Sequence, residues 1–135
     1  MPQQLGVPHG KVLRIDPSGT NSATGRYGIP AGNPFAGTGG ALGEIYALGM
    51  RDPHRFSWDT GGTKRMFLGH IGEHDIEGVY DLRAGDNLGW SEREGSWVFD
   101  RQAPCDLYTL PSDDARFGYD YPVAAYDHNA ATIPC

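Results

Sequence analysis

The chain alternates apolar and polar residues in short bursts separated by turn residues. "KVLRI" (Lys11 to Ile15) alternates and is closed by "DPSG", which predicts one short strand. Glu44–Leu48, Arg55–Trp58, Arg65–Ile71 and Ile76–Leu82 follow at intervals of roughly ten residues, broken by "RDP", "DTGGTK" and "GEHD". That spacing predicts four antiparallel strands in a meander. A further candidate strand, "YPVAAYDH", runs from Tyr121 to His128. No segment longer than a turn or two repeats apolar residues at i, i+3, i+4 and i+7, so helix is expected to be scarce.

Between these runs lie two stretches without such order. Ser18 to Leu42 is dominated by Gly, Asn, Thr, Ala and Pro and reads as a long surface loop. The segment after Trp90, "SEREGSWVFDRQAPCDLYTLPSDDARFGYD", reads as irregular. The prediction is an all-β chain.

Composition narrows the field. With 39% hydrophobic and 21% charged residues the chain can bury a core, and its 20 glycines and 10 prolines punctuate strands instead of forming tracts. A net charge of −6 with two lysines leaves no basic stripe to neutralise phosphates, which argues against nucleic acid and anionic membranes as partners. No apolar run reaches the ~18 residues a membrane span requires. The opening "MPQQLGVPHG" has neither the basic nor the apolar region of a signal peptide. Cys105 and Cys135 are compatible with a disulfide or with two thiols.

Three motifs offer chemistry. "HIGEH", His70 to His74, matches the inverted zinc-protease pattern, but that chemistry needs a helix to aim both imidazoles at one metal. Here a glycine-containing motif follows a β run, so the two histidines read as loop-edge residues. The acidic, glycine-containing turns "GEHDIEG" and "RAGDNLGW" suit either plain solvation or Ca2+ held by carboxylates and backbone carbonyls. Arg51-Asp52-Pro53 is a rigid charged corner between two strand-like runs. It is either an internal Arg–Asp pair satisfying a tight turn, or a guanidinium fork offered to a carboxylate or quinone-like acceptor.

Four stretches taken together resemble the soluble quinoprotein sugar dehydrogenases of the glucose/sorbosone dehydrogenase family. They are "GKVLRIDPSG", "YGIPAGNPF", "EIYALGMRDPHRFSWD" and "HIGEHDIEGVYDLRAGDNLGW". The resemblance implies a partial six-bladed β-propeller that uses pyrroloquinoline quinone (PQQ) and Ca2+ to oxidise a sugar or polyol by hydride transfer to the quinone. At roughly 40–50 residues per blade, residues 1–135 are expected to be a single fragment of two to three blades, with 44–90 the most complete.

The resemblance places Arg51 and Asp52 at the cofactor and the backbone carbonyls of Gly72 and Glu73 at the metal. Two departures stand out: Asp52 replaces an asparagine, and Gly72-Glu73-His74 replaces a frequent Gly-Pro-Asn. The family's catalytic base lies N-terminal to the "GKVLRI" strand, so this chain is expected to be inactive alone. A non-enzymatic interaction or carbohydrate-binding module derived from the propeller is the alternative. Self-association or missing propeller segments are the expected means of closing the ring, and the family implies an extracellular or periplasmic setting.

Overall fold

The computed structural model describes residues 1–128, so Cys135 and its pairing lie outside the described residues. Among these residues nine strands form: β1 (Val12–Leu13), β2 (Ile45–Ala47), β3 (Asp52–Trp58), β4 (Met66–Ile71), β5 (Ile76–Leu82), β6 (Arg93–Glu94), β7 (Trp97–Phe99), β8 (Leu107–Tyr108) and β9 (Ala124–Asp127). The helical content among the described residues is one 3-10 segment, Asp114–Phe117. The all-β expectation therefore holds.

The strands fall into three sheets: β1-β2, β3-β4-β5-β9 and β6-β7-β8, with every pairing antiparallel. In β4, Met66, Leu68 and His70 point inward, and in β5 Ile76, Gly78, Tyr80 and Leu82 do the same. This period-two pattern lets both strands bury one face, as the sequence alternation required. Leu68, Tyr80 and Leu82 pack with Ala47, Met50 and Leu88 into the main core. A second cluster, Ile76, Trp90, Phe99 and Leu107, joins the four-stranded sheet to the three-stranded one.

Three expectations are corrected. The strand at Ile45–Ala47 does not open a meander with its successors; it pairs with β1, and β9 completes the four-stranded sheet beside β5. The bend comes before Arg51, at Gly49 (φ +74), where an added Cβ would lie 2.0 Å from Asn87 Oδ1. Asp52 and Pro53 already belong to β3, opposite Ile71 and His70, and a register shift between Pro53 and Arg55 absorbs the proline. Proline is tolerated because β3 is an edge strand with β4 as its partner. Finally, the segment after Trp90 contains the sheet β6-β7-β8, whose strands of two or three residues are too short to show a period.

The expected loop from Ser18 to Leu42 carries no strand, yet it is tied down. Asn33 does much of this work. Its side-chain amide donates to the carbonyls of Arg14 (2.9 Å) and Gly43 (2.8 Å) and accepts from Arg14 Nε (2.6 Å). A buried amide that satisfies three partners at once fixes where the loop leaves and rejoins the β1-β2 sheet.

Candidate functional site

The charged residues singled out in the sequence gather at one end of the four-stranded sheet, where β3 begins and the turn Gly72–Asp75 joins β4 to β5. Arg51 precedes β3. Its backbone N–H donates to His70 Nε2 at 3.0 Å, a bond that places the ring proton of neutral His70 on Nδ1. His70 is buried on β4, in edge contact with the Tyr80 ring. Burial pushes its pKa down to about 4, against the pull of Asp52 and Glu94 and with the help of Arg51. His70 is therefore a neutral acceptor under the Arg51 backbone. The HIGEH pattern lies across a strand end and a turn, as expected, and His74 faces Asp106 (3.2 Å) instead of sharing a site with His70.

The Arg51 side chain meets Glu73, with Nε 3.5 Å from Oε2, and is about one-third exposed. Arg101 approaches the same carboxylate from the other side, donating from Nε to Oε1 at 2.6 Å and from Nη2 to Oε2. The Arg101 guanidinium, with Arg51 behind it, holds the Glu73 carboxyl below the usual carboxylate range. Arg101 also lies over the Trp90 and Phe99 rings. Two of the predicted residues, Arg51 and Glu73, are thus brought together.

Asp52 behaves differently. Among the described residues it makes no ion pair with Arg51, so the partner that orients the guanidinium is Glu73. Asp52 is exposed at the start of β3, and its charge bears on His70.

The turn Gly72–Asp75 is organised by Glu94 of β6, which is fully buried. Its carboxylate accepts the backbone N–H groups of Glu73 (2.9 Å), His74 (2.9 and 3.0 Å), Asp75 (2.8 Å) and Ile76 (2.9 Å). A Cβ on Gly72 would lie 2.6 Å from Glu94 Oε1 and 2.2 Å from the Ile76 carbonyl oxygen, so glycine is required there by close approach. In a trans peptide the C=O of one residue points opposite the N–H of the next. The Gly72 and Glu73 carbonyls therefore point away from Glu94.

This orientation decides which groups fit a cation. Among the described residues no cluster of three or more His, Cys, Asp and Glu is placed to hold a metal ion. The carboxylates of Glu73 and Glu94 are already committed to guanidinium and amide donors. Backbone carbonyls that point away from the carboxylate are hard oxygen donors suited to Ca2+. For an anionic quinone the corner supplies the Arg51 guanidinium, held loosely by Glu73, with the charge of Asp52 beside it.

Sequence reasoning missed Glu94 and Arg101. They reach the turn from 18 to 28 residues downstream, and no local pattern marks either. The one available signal was the glycine after Glu94: Gly95 (φ +55) packs tightly on Ile76.

Comparison with known proteins gives a consistent picture. A family model described as glucose / sorbosone dehydrogenase matches residues 1–132. The HIPL2 protein of Arabidopsis thaliana is 32% identical over 128 residues, which cover 89% of this chain and 18% of the plant protein. The PQQ-bound form of aldose sugar dehydrogenase from Streptomyces coelicolor superposes with a TM-score of 0.61 at 25% identity, over 93% of this chain and 28% of that one. The soluble aldose sugar dehydrogenase of Escherichia coli, in its apo form, matches with a TM-score of 0.65 at 22% identity, over 93% of this chain and 32% of its own. The chain thus spans about a fifth of the plant relative and under a third of these solved structures.

Proposed function

Because the chain belongs to the glucose/sorbosone dehydrogenase family, we propose that it forms one wall of a quinone site in a PQQ- and Ca2+-dependent dehydrogenase that oxidises a sugar or polyol. The reading rests on one observation. Arg51 and the Gly72 and Glu73 carbonyls, which point away from Glu94, occupy the same end of one sheet, joined through the Glu73 carboxylate 3.5 Å from Arg51 Nε.

In this role Arg51 donates to cofactor oxygens, exchanging its loose contact with Glu73 for a ligand acceptor. The Gly72 and Glu73 carbonyls contribute part of a Ca2+ shell of about six to eight oxygens. A quinone held there would supply a hydride acceptor, and a cation on these carbonyls would supply Lewis-acid polarisation. Arg101 holds Glu73 aside, and His70 fixes the Arg51 backbone by accepting its N–H. Asp52 sets the charge beside the cofactor, favouring the cation over an anionic quinone.

The 135 residues by themselves are expected to turn over no sugar, since the matched part covers under a third of the solved relatives' chains. Ring closure then comes from further propeller segments or from self-association. The setting proposed is extracellular or periplasmic, and among the described residues no helix is long and apolar enough to cross a membrane.

Titrating PQQ with CaCl2 into wild type, Arg51→Ala and Asp52→Asn tests the site. Arg51→Ala is expected to weaken binding at least tenfold, from the loss of a charged hydrogen bond of about 1.5–3 kcal/mol. Asp52→Asn is expected to tighten it. Absence of binding in all three removes the cofactor assignment, and dye reduction with glucose by the wild-type chain alone contradicts the expected inactivity.

A second reading, a non-enzymatic interaction or carbohydrate-binding module, is favoured by a specific contact: the Glu73 carboxylate already occupies both guanidinium groups. If PQQ fails to bind even when Glu73→Gln frees Arg51, this second reading prevails.

A further inference from the structure

Glu94 is the most buried charged group at this end of the sheet, with no exposure, and no motif or cofactor role accounts for it. Among the described residues no cation pairs with its side chain; its partners are backbone N–H groups. Four consecutive residues, Glu73 to Ile76, direct their amides at its two oxygens through five contacts of 2.8–3.0 Å. A carboxylate has about four lone-pair sites, so this one group satisfies a whole turn.

The geometry has a second side. Each amide that turns inward forces the preceding carbonyl outward. The Asp75 carbonyl is taken by the His128 N–H at 3.0 Å, where β9 joins the sheet. The Gly72 and Glu73 carbonyls face away from the carboxylate. Hydrogen bonds from their own peptide units to an anion polarise those units, raising the negative charge on the carbonyl oxygens. A Cβ on Gly72 would clash with Glu94 Oε1, so only glycine brings the turn this close to the carboxylate.

From this we infer that Glu94 is the positioning residue of the cation site: it aims and polarises the Gly72 and Glu73 carbonyls from behind without touching the ion. The inference rests on the Ca2+ reading proposed above, which concerns the carbonyls themselves. It adds the residue that makes them ligands. A purely structural Glu94 would stabilise the turn and leave cation affinity unchanged.

The test is a CaCl2 titration of the full 135-residue chain, wild type and Glu94→Gln, followed by calorimetry and by the 13C-carbonyl resonances of Gly72 and Glu73. Gln conserves the volume but presents an NH2 where an oxygen accepted amides. The expected result is Ca2+ shifting both carbonyl resonances in wild type, with at least a tenfold loss of affinity in a folded Glu94→Gln. Equal affinity in a folded variant overturns the inference while leaving the Ca2+ reading intact. No response of these carbonyls in wild type overturns both. If Glu94→Gln does not fold, wild-type amide exchange decides. Slow exchange at residues 73–76, slowed further by Ca2+, supports the role; free exchange there while the carbonyls shift overturns it.

Discussion

The two ends of the β3-β4-β5 unit are closed in opposite ways. At one end, the turn between β3 and β4 is held by its own residues. Asp59 accepts the N–H (2.8 Å) and hydroxyl (3.0 Å) of Thr63, and its carbonyl accepts the Lys64 N–H (3.0 Å). At the other end, the turn between β4 and β5 has four amides satisfied by Glu94, 18 to 21 residues away. The first arrangement is a self-contained hairpin loop of the kind any exposed strand pair uses. The second leaves the Gly72 and Glu73 carbonyls pointing away from Glu94 and links the turn's shape to another sheet. A turn that serves only connectivity needs local bonds, whereas one that presents backbone oxygens needs something behind it.

The contrast is broken most severely by Glu94→Ala. Four amides, two of them buried, would lose their acceptor at once, and a loss of about 3–5 kcal/mol in urea unfolding is expected. A loss under ~1 kcal/mol would mean that the remote carboxylate is not what shapes the turn.

Acid should strain the same end next. His70 has its folded pKa lowered from 6.5 to about 4. Between those values the unfolded chain takes up a proton that the folded chain refuses, so stability is present above pH ~6.5 and is lost as pH falls toward 4. The contribution is about 3 kcal/mol at 1.36 kcal/mol per pH unit. His70→Gln keeps an acceptor for the Arg51 N–H and removes the titration, and its stability-versus-pH curve should be flatter across that window. Equal slopes in the two proteins would refute the assignment.

Smaller still is Arg101→Ala. It removes an exposed ion pair, for which a change of about 1 kcal/mol or less is expected. Its sharper signature is a Glu73 carboxyl pKa that moves back up, measurable by NMR titration. Asp59→Ala should do least. Its effect is expected to be confined to faster amide exchange around Thr63 and Lys64, with the Gly72–Asp75 turn unmoved.

What could be read in the chain follows from how far each feature reaches. β4 and β5 were legible because their six and seven residues alternate cleanly against one core. β3 was legible from Arg55, but its first residues were hidden behind Pro53, which normally stops a strand and is tolerated here at an edge. β6, β7 and β8 were invisible because two or three residues carry no period. Arg51 and the turn holding Glu73, linked to one site through a resemblance, were each found as candidates in the sequence. Their contact was not, because it depends on a turn whose shape is decided by Glu94. In the sequence Asp52 reads either as the partner of Arg51 in a tight turn or as a residue beside the cofactor. It begins β3 while Arg51 lies just before the strand, and the guanidinium meets Glu73 instead.

The remote closure of this turn also has a consequence in time. As the chain leaves the ribosome, β4 and β5 can pair once Leu82 has emerged, but the amides of residues 73–76 have no carboxylate until Glu94 follows. The N-terminus spans a longer stretch of chain but meets its partners before Glu94 is made: Gln3 donates to Asn87 Oδ1 (2.9 Å) across 84 residues and to the Trp90 carbonyl across 87. Vectorial synthesis thus completes the Asp59 hairpin first, gives the N-terminal segment its partners once residue 90 is made, and supplies the carbonyl-presenting turn with its carboxylate last, when Glu94 follows.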